Sequence, residues 1–243
     1  MIVLAIESST DAAGVALADG SGVLAQVTVA KGRRHAETIT PSIEWCCATT
    51  GVALSEVDAI VVDTGPGLFT GLRVGVGTAK ALAYALSKLV VAVSSLDVLL
   101  HAATGLRSDD ATVMAVLDAR RGEVVWRRQG FRSEGSDDSA VVTLETPYEL
   151  VARLEKMDGH DVLLVGDGAH RYEEMLKMIP GVRIAGRLLS SPPVGVLAEM
   201  GVDLATKGQF RDPLLLVPDY VRHADVRINW ESRATRPAES QPS

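Results

Sequence analysis

Two rhythms of apolar and polar positions run along this chain. Apolar runs at residues 2–6, 13–18 and 22–29 predict three short strands joined by tight turns, after which the spacing stretches to that of a helix. Continuous apolar runs at 58–63 and 89–93 predict buried strands, separated by a second helical stretch. A third helix is expected after Ser94, where Asp97 three residues on makes a capping-box-like start. The predicted order is β-β-β-α-β-α-β-α.

From Thr112 the same rhythm begins again. Strands are predicted near 112–117, 122–131 and 140–144, and Thr146-Pro147-Tyr148-Glu149 caps a helix with proline at its first position. Val162 to Val165 reads as a further strand. Gly166-Asp167-Gly168 then leads into a helix to about Met178, stopped by Pro180 and Gly181. A last helix is expected after Ser191, with Pro192 and Pro193 at its start and Gly208 at its end. Beyond Arg227 the polar, proline-containing composition predicts a loose tail.

The two halves resemble each other where they start. Leu4-Ala5-Ile6-Glu7 returns at Gly14-Val15 after a polar turn, and Ala115-Val116-Leu117-Asp118 returns at Gly122-Glu123-Val124. The repeated element order favours a duplicated α/β fold over a chance match of two hairpins. The expected organisation is an N-terminal half over 1–105, a C-terminal half over 106–226 and a flexible tail over 227–243.

Composition narrows the function classes. With 243 residues, 47% of them apolar, the chain can bury a substantial core. Its formal charge of −7 opposes extensive contact with phosphate backbones, so any nucleic-acid substrate is expected to be held mainly by something else. The adjacent Cys46 and Cys47 neither staple distant segments nor offer the spacing of a zinc site. The absence of a leader or a long apolar run predicts a cytoplasmic protein that does not span a membrane.

Candidate chemistry gathers at a few points. Glu7 followed by Ser8, Ser9 and Thr10 offers hydroxyls and backbone N–H groups to a phosphate or metal-bound water, or else forms an ordinary hairpin turn. The glycine-rich run from Asp63 to Arg73, containing Gly65 and Gly67, joins a buried strand to a long helix, a placement suited to an anion. It lacks the Gly-Lys-Ser/Thr of a Walker loop. Gly71, Gly75, Ala79 and Ala83 form a ridge of small residues that lets another helix approach, within the chain or from a partner. The preceding helix places Ala36, Ile39, Ile43 and Cys47 on one face, with Pro41 expected to kink it. Asp118 could face the Glu7 turn across a cleft, or bond within its own turn. His35 has isoleucine, not a second imidazole, one turn later at Ile39, and His101, His160, His170 and His223 show no ligand spacing. No nucleophile motif is present.

These residues resemble a known family. Leu4 to Thr10, Gly65 to Gly75, Asp118 to Val124, and Pro218-Asp219-Tyr220-Val221-Arg222 are similar, in order and spacing, to the TsaB (YeaZ) family. The resemblance implies two ribonuclease H-like halves of the acetate kinase, sugar kinase and actin-like superfamily, with the second half reduced. It further implies a non-catalytic subunit working with a TsaD-like catalytic paralogue and a TsaE-like ATPase. Together these move threonylcarbamoyl to N6 of the adenosine beside the tRNA anticodon, with tRNA met indirectly through the complex. The implied partner surface lies on the first two long helices and includes His35, Ala36, Ile39, Ile43, Gly71, Arg73, Gly75, Ala79 and Ala83. A bulky residue at Gly75 is then expected to break assembly while leaving the chain folded.

A degenerate nucleotide or phosphate cleft would involve Glu7, Ser8, Ser9, Thr10, Gly65, Gly67 and Asp118. No catalytic or metal-ligating residue is expected, because the paralogue's His-x-x-x-His pair is reduced to His35. ATP and magnesium are expected to serve the complex, not to be held tightly by this chain, and a homodimer is an option for the free protein. The alternative is an active phosphotransferase or threonylcarbamoyltransferase of the same superfamily.

Overall fold

A computed structural model describes residues 1–30, 34–106, 111–129, 141–157 and 161–221. Arg222, His223, the expected tail at 227–243, His160 and the distal ends of the strands expected at 122–131 and 140–144 lie outside the described residues.

The first sheet contains β1 (Val3–Glu7), β2 (Ala13–Asp19), β3 (Gly22–Val29), β4 (Ala59–Gly65) and β5 (Leu89–Ser94), in the order β3-β2-β1-β4-β5. β1 pairs antiparallel with β2 and parallel with β4. Between β3 and β5 run α1 (His35–Thr50) and α2 (Phe69–Leu86), and α3 (Ser95–Ala103) follows β5.

The second sheet contains β6 (Thr112–Arg120), β7 (Glu123–Gln129), β8 (Thr143–Glu145), β9 (Val162–Val165) and β10 (Val182–Ile184), in the order β10-β9-β6-β7-β8. Numbered from its own first strand, this is the order of the first sheet, read from the opposite edge. The chain is therefore an α/β protein of two ribonuclease H-like halves, the topology of the acetate kinase, sugar kinase and actin-like superfamily. The helices of the second half are short: α4 (Pro147–Glu155), α5 (Asp167–Arg171) and α6 (Glu173–Leu176). The one helix expected from Gly168 to Met178 is thus two, and the strand at β10 was not legible in a run of only three residues.

Alternation along each strand assigns the layers, since neighbouring side chains point to opposite faces. Leu4, Ile6, Val15, Leu17, Ile60 and Val62 meet Ile39, Ile43, Val76 and Ala79 of α1 and α2. The intervening positions Val3, Ala5, Ala16, Ala18, Ala59 and Val61 meet α7 (Val194–Thr206). These are mostly small, and α7 approaches closely: a Cβ at Gly201 would stand 2.3 Å from Val61 Cγ2. The last helix, though late in the chain, thus covers the first sheet. α3 places Leu96, Leu99, Leu100 and Ala103 against Val113, Ala115, Leu117 and Val125 of the second sheet, wedging one half against the other.

Two caps separate cleanly. Thr146 and Glu149 form the expected reciprocal box on α4. Ser94 sits at the N-cap of α3 but makes no side-chain cap bond, and Asp97 forms an ion pair with Arg127 of β7. α1 runs unbroken through Pro41, which is exposed.

A candidate cleft and its helical flank

The two suspected motifs of the first half meet in space. Gly67 and Gly71 lie so close to the β1–β2 turn that a Cβ at either would stand 2.1 Å from the carbonyl oxygen of Ser9 or Ser8. Leu68 N–H donates to Ser9 O, and Ser8 Oγ donates to Gly71 O at 2.9 Å. Ser9 donates from both N (2.7 Å) and Oγ (2.6 Å) to Glu7 Oε1. Glu7, Ser8, Ser9 and Thr10 are all buried. The Ser8 and Ser9 hydroxyls and the Ser9 amide are therefore engaged inside the chain.

Behind the turn sits a buried acid pair. Burial, followed by the charge of Asp63, pushes Glu7 up to about 8, and burial raises Asp63 to about 6. Asp63 Oδ1 accepts from Ser95 Oγ at 2.5 Å and from Gly65 N at 2.7 Å. Its Oδ2 has no hydrogen-bond partner among the described residues.

Across the cleft, Asp118 is held by Arg120 Nη1 at 2.9 Å and approached by Arg171 Nη1 at 3.3 Å. Asp118 N–H donates to Asp167 Oδ1 at 2.9 Å, and burial raises Asp167 to about 6. Arg120 Nη2 also reaches Asp11 Oδ1 of the first half at 2.9 Å. Asp118 therefore does face the Glu7 turn, but through an arginine, and Asp11, Asp63, Asp167 and Arg120 complete a cluster of which the motif reading singled out only Asp118. Their common signal was position: each stands in the last residues of a strand or in the turn that follows it.

His35 Nε2 lies 2.8 Å from Thr10 O. A carbonyl can only accept, so that nitrogen carries the proton and is unavailable to a metal. Ile39, one turn on, is buried in the core.

The small ridge of α2 faces inward. Ala79 and Ala83 are buried beside α1 and β1, and a Cβ at Gly75 would stand 2.1 Å from Ser8 Oγ. Of the residues expected on a partner surface, only Ala36 and Arg73 are exposed; His35, Ile39, Ile43, Gly71, Gly75, Ala79 and Ala83 are buried within the chain. A bulky residue at Gly75 would therefore meet the β1–β2 turn of its own chain. The faces of α1 and α2 that do reach solvent carry Trp45, Phe69, Arg73, Gly77 and Tyr84 instead.

The Pro218-Asp219-Tyr220 motif closes this flank. Asp219 N–H donates to Thr64 O, and the Tyr220 ring lies 5.1 Å from that of Phe69. Arg73 stacks over Phe69 at 3.9 Å and donates from Nε to Tyr220 OH. Lys80 Nζ donates to the carbonyls of Leu214 and Leu216, holding residues 214–220 along α2.

The sequence model of the TsaD family, described as tRNA N6-adenosine threonylcarbamoyltransferase, matches residues 21–179. The tRNA threonylcarbamoyladenosine biosynthesis protein TsaB of Escherichia coli is 33% identical over 182 residues, covering 73% of this chain and 76% of that protein. The chain belongs to the TsaB (YeaZ) family. TsaB of Bacillus subtilis is 29% identical over 232 residues, 95% of this chain and 98% of its own length. The solved structure of YeaZ from Pseudomonas aeruginosa superposes with a TM-score of 0.72 at 28% identity, covering 90% of this chain and 99% of that one. The TsaB resemblance therefore spans both halves, the cleft and the helical flank. No described helix is long and apolar enough to cross a membrane.

Proposed function

We propose that this chain serves tRNA threonylcarbamoyladenosine biosynthesis as a non-catalytic scaffold and activator subunit. It would act with a TsaD-like catalytic paralogue and a TsaE-like ATPase during threonylcarbamoyl transfer to N6 of the adenosine beside the anticodon. The observation that carries this reading is the self-engaged β1–β2 turn, whose Ser8 and Ser9 donors already bond within the chain. ATP and magnesium then serve the complex, and tRNA is met through the partner. The acidic balance of −7 supports that division of labour. A homodimer of the free chain would use the same helical flank.

Docking is assigned to the solvent faces of α1 and α2. Trp45 is 51% exposed and Tyr84 81%, and α2 also presents Gly77, above which there is open space. Large aromatic anchors beside a smooth helical surface suit a packed helical interface.

The test is incorporation of labelled threonine into unmodified tRNA in a reconstituted reaction, omitting this chain, the TsaD-like partner, or neither. Incorporation is expected to need both. Activity with this chain and no TsaD-like partner would make it the transferase, and indifference to its omission would sink the role. Gly77→Glu and Tyr84→Glu, at positions free of intrachain crowding, are expected to reduce incorporation towards the level of omission with little change in stability. Full activity of both would move the docking surface elsewhere while leaving the role intact.

A further inference from the structure

The β6–β7 turn sets Arg120, Arg121 and Gly122 at φ +64°, +54° and +81°. Arg120 pairs with Glu123, so Arg121 and Gly122 form a two-residue loop whose positive φ angles are those of a type I′ turn. Arg120 stands outside that loop, and its left-handed backbone accompanies a register irregularity between Asp118 and Arg120. What the conformation achieves is placement. Arg120 N–H donates to Asp118 Oδ1 at 2.9 Å, and its guanidinium bridges Asp118 Oδ2 and Asp11 Oδ1, each at 2.9 Å.

The two carboxylates belong to different halves. Asp118 is anchored, with only 3% of its side chain exposed, while Asp11 is 48% exposed on the β1–β2 turn. Asp167 stands beside them, and Glu7 and Asp63 lie behind. A planar guanidinium can satisfy two carboxylates at once and cannot lose its charge. From this geometry we infer that Arg120 is an internal counter-cation. It tethers the two halves across the mouth of the cleft by pairing with Asp118 and Asp11 at once. The inference concerns the free chain and does not depend on the proposed role in tRNA modification.

Hydrogen exchange of the full-length chain tests it, comparing the parent with Asp11→Asn, Arg120→Ala and the double variant. Asp11→Asn changes only the first half, yet it is expected to speed exchange of the β6–β7 turn in the other half by about two- to fivefold at low salt. The difference should shrink in concentrated salt, and it should vanish in the Arg120→Ala background, where the tether is already gone. No effect of Asp11→Asn at low salt or an undiminished effect in the Arg120→Ala background would overturn the assignment.

Discussion

At the scale of single residues, the most consequential group is Glu7, a carboxyl enclosed by its own turn with Asp63 nearby. Its folded value of about 8 lies above the ordinary 4.5, so the folded chain binds the proton more tightly than the unfolded one. The stability linked to that proton is fully present below about pH 4.5 and is lost as pH rises through about 8. Asp63 and Asp167, raised from 3.8 to about 6, add a contribution of the same sign at lower pH. The urea midpoint is therefore expected to fall steadily from mildly acid to mildly alkaline solution, and Glu7→Gln should flatten the upper part of that profile. A parent midpoint independent of pH would mean that Glu7 is already ionised in the fold. The sequence marked Glu7 as an acid at a strand end. It could not show that Asp63, 56 positions later, ends a parallel strand on the other side of the same turn.

At the scale of elements, α2 shows how position on a helix decides what a glycine does. Gly75 faces the β1–β2 turn, where a side chain has no room, whereas Gly77 faces open space. Gly75→Leu is expected to destabilise the folded chain by at least the ~1–3 kcal/mol typical of overpacking. Gly77→Ala should raise stability by up to about 1 kcal/mol, because alanine favours a helix interior. Denaturant unfolding of the two variants checks both signs, and equal stability of Gly75→Leu and the parent would show that α2 can shift off the turn. The ridge Gly71, Gly75, Ala79, Ala83 was legible as a close-approach surface. Its partner was not, since a helical period states which residues share a face and says nothing about what that face meets.

At the scale of the whole molecule, the halves are bound together by elements that cross between them. α7 follows the second sheet in the chain but covers the first, and α3 follows the first sheet but packs on the second. A fragment ending at Leu106 retains all five strands of the first sheet and loses α7. Its uncovered face, with Val3, Ala5, Ala16, Ala18, Ala59 and Val61, is expected to leave the fragment without a cooperative unfolding transition. Calorimetry of fragment and full chain decides this, and a sharp transition in the fragment would mean that α7 is dispensable to the first half.

The sequence by itself determined the order of the elements in the first half, the repeated β-β-β start of each half, the α4 cap and the family, because these are written in local periodicity, turn chemistry and motif spacing. Tertiary structure alone decided that the serine turn is closed by its own chain and that the small ridge of α2 points inward. It alone also set α7 on the first sheet and aimed Arg120 at a carboxylate 109 positions away. Each of these outcomes is a contact between segments remote in sequence. Local pattern shows which face a residue occupies, whereas the approach of two such faces depends on the packing of the whole chain.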